Sequence, residues 1–230
     1  MIAGVNVLSR QSILSGAYHQ AFSDVPEDIL WPLEKIHASL NETMESRPKD
    51  GEVWLFAYGS LLWNPLFEYA DRRVATLSGW HRSFCLRTIA GRASVEAPGR
   101  MLSLERGGES AGVILRLPDE GLNDELRMIW VREMVTGAYR PTWAKVTLTN
   151  GQELTALAFV AETSHPHHEN NSEAAVVAPI ISAASGALGT NLDYVRKLHQ
   201  ALRQNNLHDA YIDALIAEID NRAARQPASM

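Results

Sequence analysis

Cysteine is almost missing from this chain: of 230 residues only Cys85 is one. An internal disulfide and a cysteine-rich metal site are thereby excluded, and a reducing compartment is favoured. Long apolar runs are also missing. The most apolar stretch, Ala174 to Gly189, is interrupted by Pro179, Ser182 and Ser185. It is too short and too rich in small residues to span a bilayer. Met1 to Val5 lacks the basic start and apolar stretch of a secretory signal, so the expected location is the cytoplasm. There is no surplus of positive charge. The formal net charge is −6, with both signs mixed along the chain, which argues against nucleic acid or an anionic membrane as the main partner. Nowhere does the sequence contain a GxxxxGK[ST] or GxGxxG phosphate loop or an HExxH zinc helix.

What is present is an ordinary globular composition, with 46% apolar and 21% charged residues. Residues 1–50 read as a helical lead-in. Ser23 or Asp24 is placed to cap a helix begun by Pro26-Glu27-Asp28, with Leu30, Leu33, Ile36 and Leu40 at helical spacing. Arg47-Pro48-Lys49-Asp50-Gly51 breaks it. Residues 51–205 then form a β-rich body, and residues 206–230 a C-terminal helix, from about Asp209 to Arg225, packed on that body.

Within the body, Val53 to Tyr58 is a continuous apolar run, the mark of a strand buried on both faces. Arg73 to Gly79 and Arg82 to Thr88 read as two strands around Trp80-His81. Met101 to Leu104 and Gly112 to Leu117 flank the turn residues Gly107-Gly108, and Ala144 to Leu148 and Glu153 to Val160 flank Asn150-Gly151. A helix over about Leu122 to Thr136, stopped by Gly137, is inserted between these hairpins. Ser172 is placed to cap one later helix and Thr190, with Asp193 three residues on, another. About six short strands with one inserted helix predict an α+β fold: a small, mostly antiparallel β-barrel with flanking terminal helices.

Two features stand out chemically. At about 100° per residue, Leu122, Leu126, Ile129 and Trp130 share one stripe of the inserted helix, and Glu133 falls in its middle. A carboxylate there must lose its charge or find partners. Arg132, a neighbouring strand, or a position at the helix end would satisfy it; a functional role is the alternative. The second feature is Tyr58-Gly59-Ser60, where a core strand ends on glycine, so that backbone N–H groups are able to approach a ligand. By itself it is equally a turn. Ala97-Pro98-Gly99-Arg100 reads as a turn into a strand. Cys85, within Phe84-Cys85-Leu86, reads as a packing residue, and the six tryptophans as core or pocket wall.

Trp54 to Trp63, Gly79-Trp80-His81-Arg82, Pro98-Gly99-Arg100, Arg116-Leu117-Pro118 and Arg132-Glu133-Met134, in this order, resemble the ChaC proteins, a family of glutathione-specific γ-glutamylcyclotransferases. The resemblance covers about Val53 to Leu198. It extends to Pro179–Asn191 and the helical lead-in of bacterial members. Ala57 replaces the family's usual glycine before the tyrosine, as in related cyclotransferases, and Tyr139 stands six rather than four residues after Glu133. The resemblance implies a small β-barrel catalytic domain over residues 51–205. It implies conversion of glutathione to 5-oxoproline and Cys-Gly without metal or organic cofactor. Glu133 is then the acid/base residue and Leu55, Phe56, Ala57, Tyr58, Gly59 and Ser60 the substrate-binding loop, with Leu61, Arg100 and Tyr139 as further substrate contacts. Other γ-glutamyl amines as substrates remain open. So do a non-catalytic binding role and a metal hydrolase built on His165, His167 and His168. The implied chemistry asks for an unusual carboxylate, since an ordinary glutamate at about 4.3 lies roughly 3.5 units below an α-amine, a deficit of about 5 kcal/mol. Burial on an apolar stripe narrows that gap.

Overall fold

The computed structural model describes residues 8–23, 25–48 and 51–225. Asp24, Lys49, Asp50 and the N-terminal Met1 to Val5, each named above, lie outside them. The apolar run folds as β1 (Trp54–Ala57), every residue of it buried. The other barrel strands are β2 (Asp71–Thr88), β3 (Gly99–Arg116), β4 (Tyr139–Leu148) and β5 (Glu153–Ala161). These five close a barrel in the order β1-β3-β2-β4-β5. All pairs are antiparallel except β1 with β5, which close the barrel in parallel at Leu55↔Leu157. The fold is α+β, as expected, and the Asn150-Gly151 hairpin is formed.

The strand count is corrected. The four segments read around Trp80-His81 and Gly107-Gly108 are two continuous strands, β2 and β3, paired from Asp71↔Arg116 to Thr88↔Gly99. The residues taken for turns lie in mid-ladder. Gly79, Gly107 and Gly108 all have positive φ and sit at a register shift between Ser78 and Trp80. Glycine there bends a long ribbon into the barrel wall instead of ending it.

The lead-in is corrected too. It holds two short helices, α1 (Arg10–Leu14) and α2 (Ala17–Gln20), and then α3 (Leu33–Glu45), whose N-cap position is held by Pro32, without a side-chain capping bond, and not by Ser23. Pro32 disfavours the helical conformation at Trp31 and lacks the N–H needed to continue a helix through it. Pro26 to Leu30 form only a turn, with Ile29 and Leu30 N–H donating to the Pro26 carbonyl.

The inserted helix, α4 (Leu122–Glu133), ends three residues earlier than expected. Leu126, Ile129 and Trp130 are fully buried on the predicted stripe, each contributing about 1.5–3 kcal/mol by burial. The chain leaves α4 through Gly137, at φ +67, where any side chain would run into the Trp31 ring. Trp31 N–H donates to the Val135 carbonyl at 2.8 Å, and Arg10 makes two hydrogen bonds, 2.7 and 2.6 Å, to Glu125. The lead-in is thus fastened along α4.

After the barrel come α5 (Ala174–Ala183), the small ribbon β6 (Ser185–Gly186) and β7 (Gly189–Thr190), α6 (Asn191–Gln204) and α7 (Ala210–Arg225). Thr190 caps α6 through Asp193 N–H as expected. Glu173, not Ser172, is the N-cap residue of α5. Ile36 and Leu40 of α3, Leu198 of α6 and Leu215 of α7 join one core with the barrel residues. Among the described residues no helix is long and apolar enough to cross a membrane.

Candidate active site

Glu133 is the last residue of α4, and its carboxylate opens into a cavity of about 600 Å³ between the barrel and the helices. Oε1 lies 3.2 Å from Arg132 Nε, and 15% of the glutamate side chain is exposed against 5% of the arginine's. Burial pushes the Glu133 carboxyl above the ordinary value, and the Arg132 guanidinium pulls it part of the way back. The rest of that guanidinium turns to the loop after β1. Nη2 donates to Ser60 Oγ at 2.8 Å, while Nη1 donates to the carbonyls of Asn64 and Pro65. One arginine therefore joins the two features singled out in the sequence.

The loop itself is a single 3₁₀ turn, Ser60–Leu62, entered through Gly59. Leu62, Trp63 and Asn64 N–H groups fold back onto the Gly59 and Ser60 carbonyls. The N–H groups at the start of such a turn have no partner within it. A second arginine holds the loop from the other side: Arg82 Nε donates to the Tyr58 carbonyl at 2.9 Å and Nη1 to Asp209 Oδ2 at 2.8 Å. A Cβ at Gly59 would lie 3.0 Å from the Tyr194 hydroxyl, so a side chain there would fit only if that hydroxyl gave way.

Four tyrosines line the cavity: Tyr18, Tyr58, Tyr139 and Tyr194. Tyr58 donates to the Phe159 carbonyl at 2.6 Å and Tyr139 to the Leu102 carbonyl at 2.8 Å. Burial raises all four phenols, with Glu133 adding to the rise in each. At neutral pH they are uncharged hydrogen-bonding groups around one carboxylate.

Of the residues expected at a site, Phe56, Tyr58, Gly59, Ser60, Leu61, Glu133 and Tyr139 line the cavity. Leu55 and Ala57 do not; alternation along β1 sends them to the opposite face from Phe56 and Tyr58. Arg100 is also absent from the wall. Its backbone is bracketed by the Asn191 side chain and its guanidinium lies 3.4 Å from Glu169. The three histidines diverge: His165 bonds the Thr136 carbonyl, His167 lines the cavity and His168 bonds Glu105 at 2.9 Å. Cys85, Glu105 and His168 do place ligand-type atoms within 4.8 Å of one another. That group is off the cavity wall, and the His168–Glu105 hydrogen bond already joins two of its members. Cys85 is fully buried. Tyr18 and Tyr194 were not found from the sequence, because they reach the cavity from segments on either side of the barrel strands.

The sequence model of the ChaC-like protein family matches residues 53–222. The chain belongs to the ChaC family. It is 43% identical, over 93% of its length and 92% of the other's, to the glutathione-specific γ-glutamylcyclotransferase of Escherichia coli. To the mouse glutathione-specific γ-glutamylcyclotransferase 1 it is 34% identical, over 71% of this chain and 76% of that one. Among solved structures, a yeast γ-glutamylcyclotransferase specific to glutathione superposes with a TM-score of 0.69 at 20% identity, covering 75% of this chain and 97% of the other. At that identity the likeness shows the shared fold alone. This ChaC-family chain places its matched motif residues Tyr58, Gly59, Ser60 and Glu133 around one cavity.

Proposed function

We propose that this chain is a glutathione-specific γ-glutamylcyclotransferase, releasing 5-oxoproline and Cys-Gly, with Glu133 as general acid and base. One observation carries the reading: a carboxylate raised by burial faces a cavity of peptide size that is also lined by Tyr58, Gly59 and Ser60. The near full-length likeness to the Escherichia coli enzyme supplies the substrate class. We assign the reaction to the cytoplasm, in keeping with a chain whose one cysteine is a buried free thiol.

The reaction needs neither water nor an enzyme nucleophile. The γ-glutamyl ammonium gives a proton to Glu133, and the freed amine attacks its own side-chain amide carbonyl. A C–N bond closes the five-membered ring, and the old C–N bond to cysteine breaks as Glu133 returns the proton to the departing nitrogen. The second proton lost by the attacking nitrogen leaves with the product amine as an ammonium.

Holding the substrate folded supplies much of the acceleration, since oriented intramolecular reactions reach effective molarities of roughly 10⁵–10⁸ M. Arg132 keeps Glu133 ionised enough to accept a proton, while burial keeps it basic enough to compete for one. The substrate α-carboxylate shares a carbon with the amine, so it falls beside Glu133 and meets the N–H groups opening the Ser60 turn. Uncharged phenols at Tyr58, Tyr139 and Tyr194 complete the polar wall. The test is Glu133→Gln, which keeps the fold and loses 5-oxoproline release; a wild-type rate from that variant would overturn the assignment.

A further inference from the structure

The cavity has a second charged region that the chemistry at Glu133 does not use. Glu133 is the sole acidic residue on the wall among the described residues, whereas Arg87, Arg92 and Lys197 add three cations to it. Arg87 is the penultimate residue of β2, paired with Arg100, Arg92 lies in the loop from β2 to β3, and Lys197 is on α6. Among the described residues, neither Arg87 nor Lys197 has a side-chain hydrogen bond or ion pair. Arg92 has one backbone acceptor, the Thr190 carbonyl at 3.3 Å. Asp193 faces Arg92 electrostatically without reaching ion-pair distance.

This rim is held in place. Leu188 N–H donates to the Gly91 carbonyl at 2.7 Å, fixing the loop to the β6–β7 ribbon. Any side chain at Gly186 would collide with the Gly91 and Ala93 backbone. Asn191, fully buried, clamps the backbone of Arg100 just after the loop. Tyr194 lies within electrostatic reach of Glu133 and Arg132 and also of Arg92. A ligand lying along Tyr194 would therefore run from the carboxylate to the basic rim.

We propose that Arg92, supported by Arg87 and Lys197, binds the C-terminal carboxylate of the tripeptide and so sets the preference for glutathione over shorter or uncharged γ-glutamyl amides. This rests on the function proposed above. With the γ-glutamyl amine at Glu133, the two remaining residues extend at most roughly 7 Å further and end on a carboxylate. A cation on the wall is the complement of that group, and a guanidinium is suited to bind it through two parallel N–H donors.

The experiment compares kcat/KM for glutathione with kcat/KM for its glycinamide form, which differs only in lacking the terminal charge. The wild type favours glutathione by about 10- to 100-fold, the worth of a charge-assisted hydrogen bond. Arg92→Gln collapses that ratio towards one through KM for glutathione. Added salt weakens the preference in the wild type and not in the variant. Should Arg92→Gln fail to fold for want of its Thr190 bond, the ratio is read from the Arg87→Gln/Lys197→Met double variant, which narrows it as well. Equal wild-type turnover of the two substrates, or a ratio unchanged in the folded variants, overturns the inference while leaving the cyclotransferase standing. A wild type that releases no 5-oxoproline from glutathione contradicts the proposed function itself.

Discussion

Two buried arginine–carboxylate pairs flank the Tyr58–Ser60 loop, and they are built to opposite ends. Arg82 is fully enclosed and spends its donors on the Tyr58 carbonyl, the Ala111 carbonyl and Asp209. Its partner Asp209 also accepts from Ile212 N–H at the start of α7. That pair pins the C-terminal helix to the barrel. Arg132 is nearly as buried, but its strongest bonds go to Ser60 and to backbone carbonyls, and only Nε faces Glu133. The carboxylate it leaves half-satisfied is the one that faces the cavity. A fully bonded pair fixes structure; an under-bonded one retains a proton affinity that chemistry is able to use.

Substitution on each side should therefore break different things. The largest expected effect is on Glu133→Gln, where 5-oxoproline release falls by about 10²–10⁴-fold, the usual worth of general acid–base catalysis, with little change in melting temperature. Next is Asp209→Ala, which strands the Arg82 charge and costs about 3–5 kcal/mol of stability. For a chain of this length that lowers Tm by roughly 6–20 °C in a thermal melt, with activity retained well below the transition. Ser60→Ala removes one of three acceptors from Arg132 Nη atoms. It should lower kcat/KM by about 10-fold, the lower end of the worth of one hydrogen bond to a charged group.

The smallest effect is on stability against pH. Glu133 holds its proton more tightly folded than unfolded, so wild-type stability falls as pH rises from the unfolded carboxyl value through the folded one. The Tm of Glu133→Gln minus that of the wild type should grow across that window and then level off. Glu125 runs the other way. Burial alone would raise it, but Arg10 and the Glu68 N–H hold it below its ordinary value, so its contribution is present at neutral pH and lost as pH falls through that lowered value.

Local patterns made β1, α4 and the place of Glu133 on its stripe legible, because a period of two or 3.6 is written in adjacent residues. The motif resemblance joined Glu133 to Tyr58-Gly59-Ser60. What escaped was whatever needed a partner far along the chain. Arg82 and Asp209 are 127 residues apart, and Arg132 and Ser60 are 72 apart. Tyr18 and Tyr194 approach from the two terminal segments. Gly107-Gly108 reads as a turn, and Gly79 as a strand end, since glycine marks a sharp turn and a bend in a long ribbon with the same letter. Pro32 is a different case: its effect on the preceding residue is local, and it outweighed the helical spacing of Leu30 and Leu33.

The central claim is that Glu133, although paired with Arg132, has a pKa set chiefly by burial. Carboxyl-labelled glutamate NMR titration of the wild type, with the Glu133 resonance identified by its loss in Glu133→Gln, measures this directly. The account predicts a midpoint above the ordinary glutamate value of about 4.3. A midpoint at or below that value would mean that the ion pair wins, and that Glu133 is a structural partner of Arg132 and not the base.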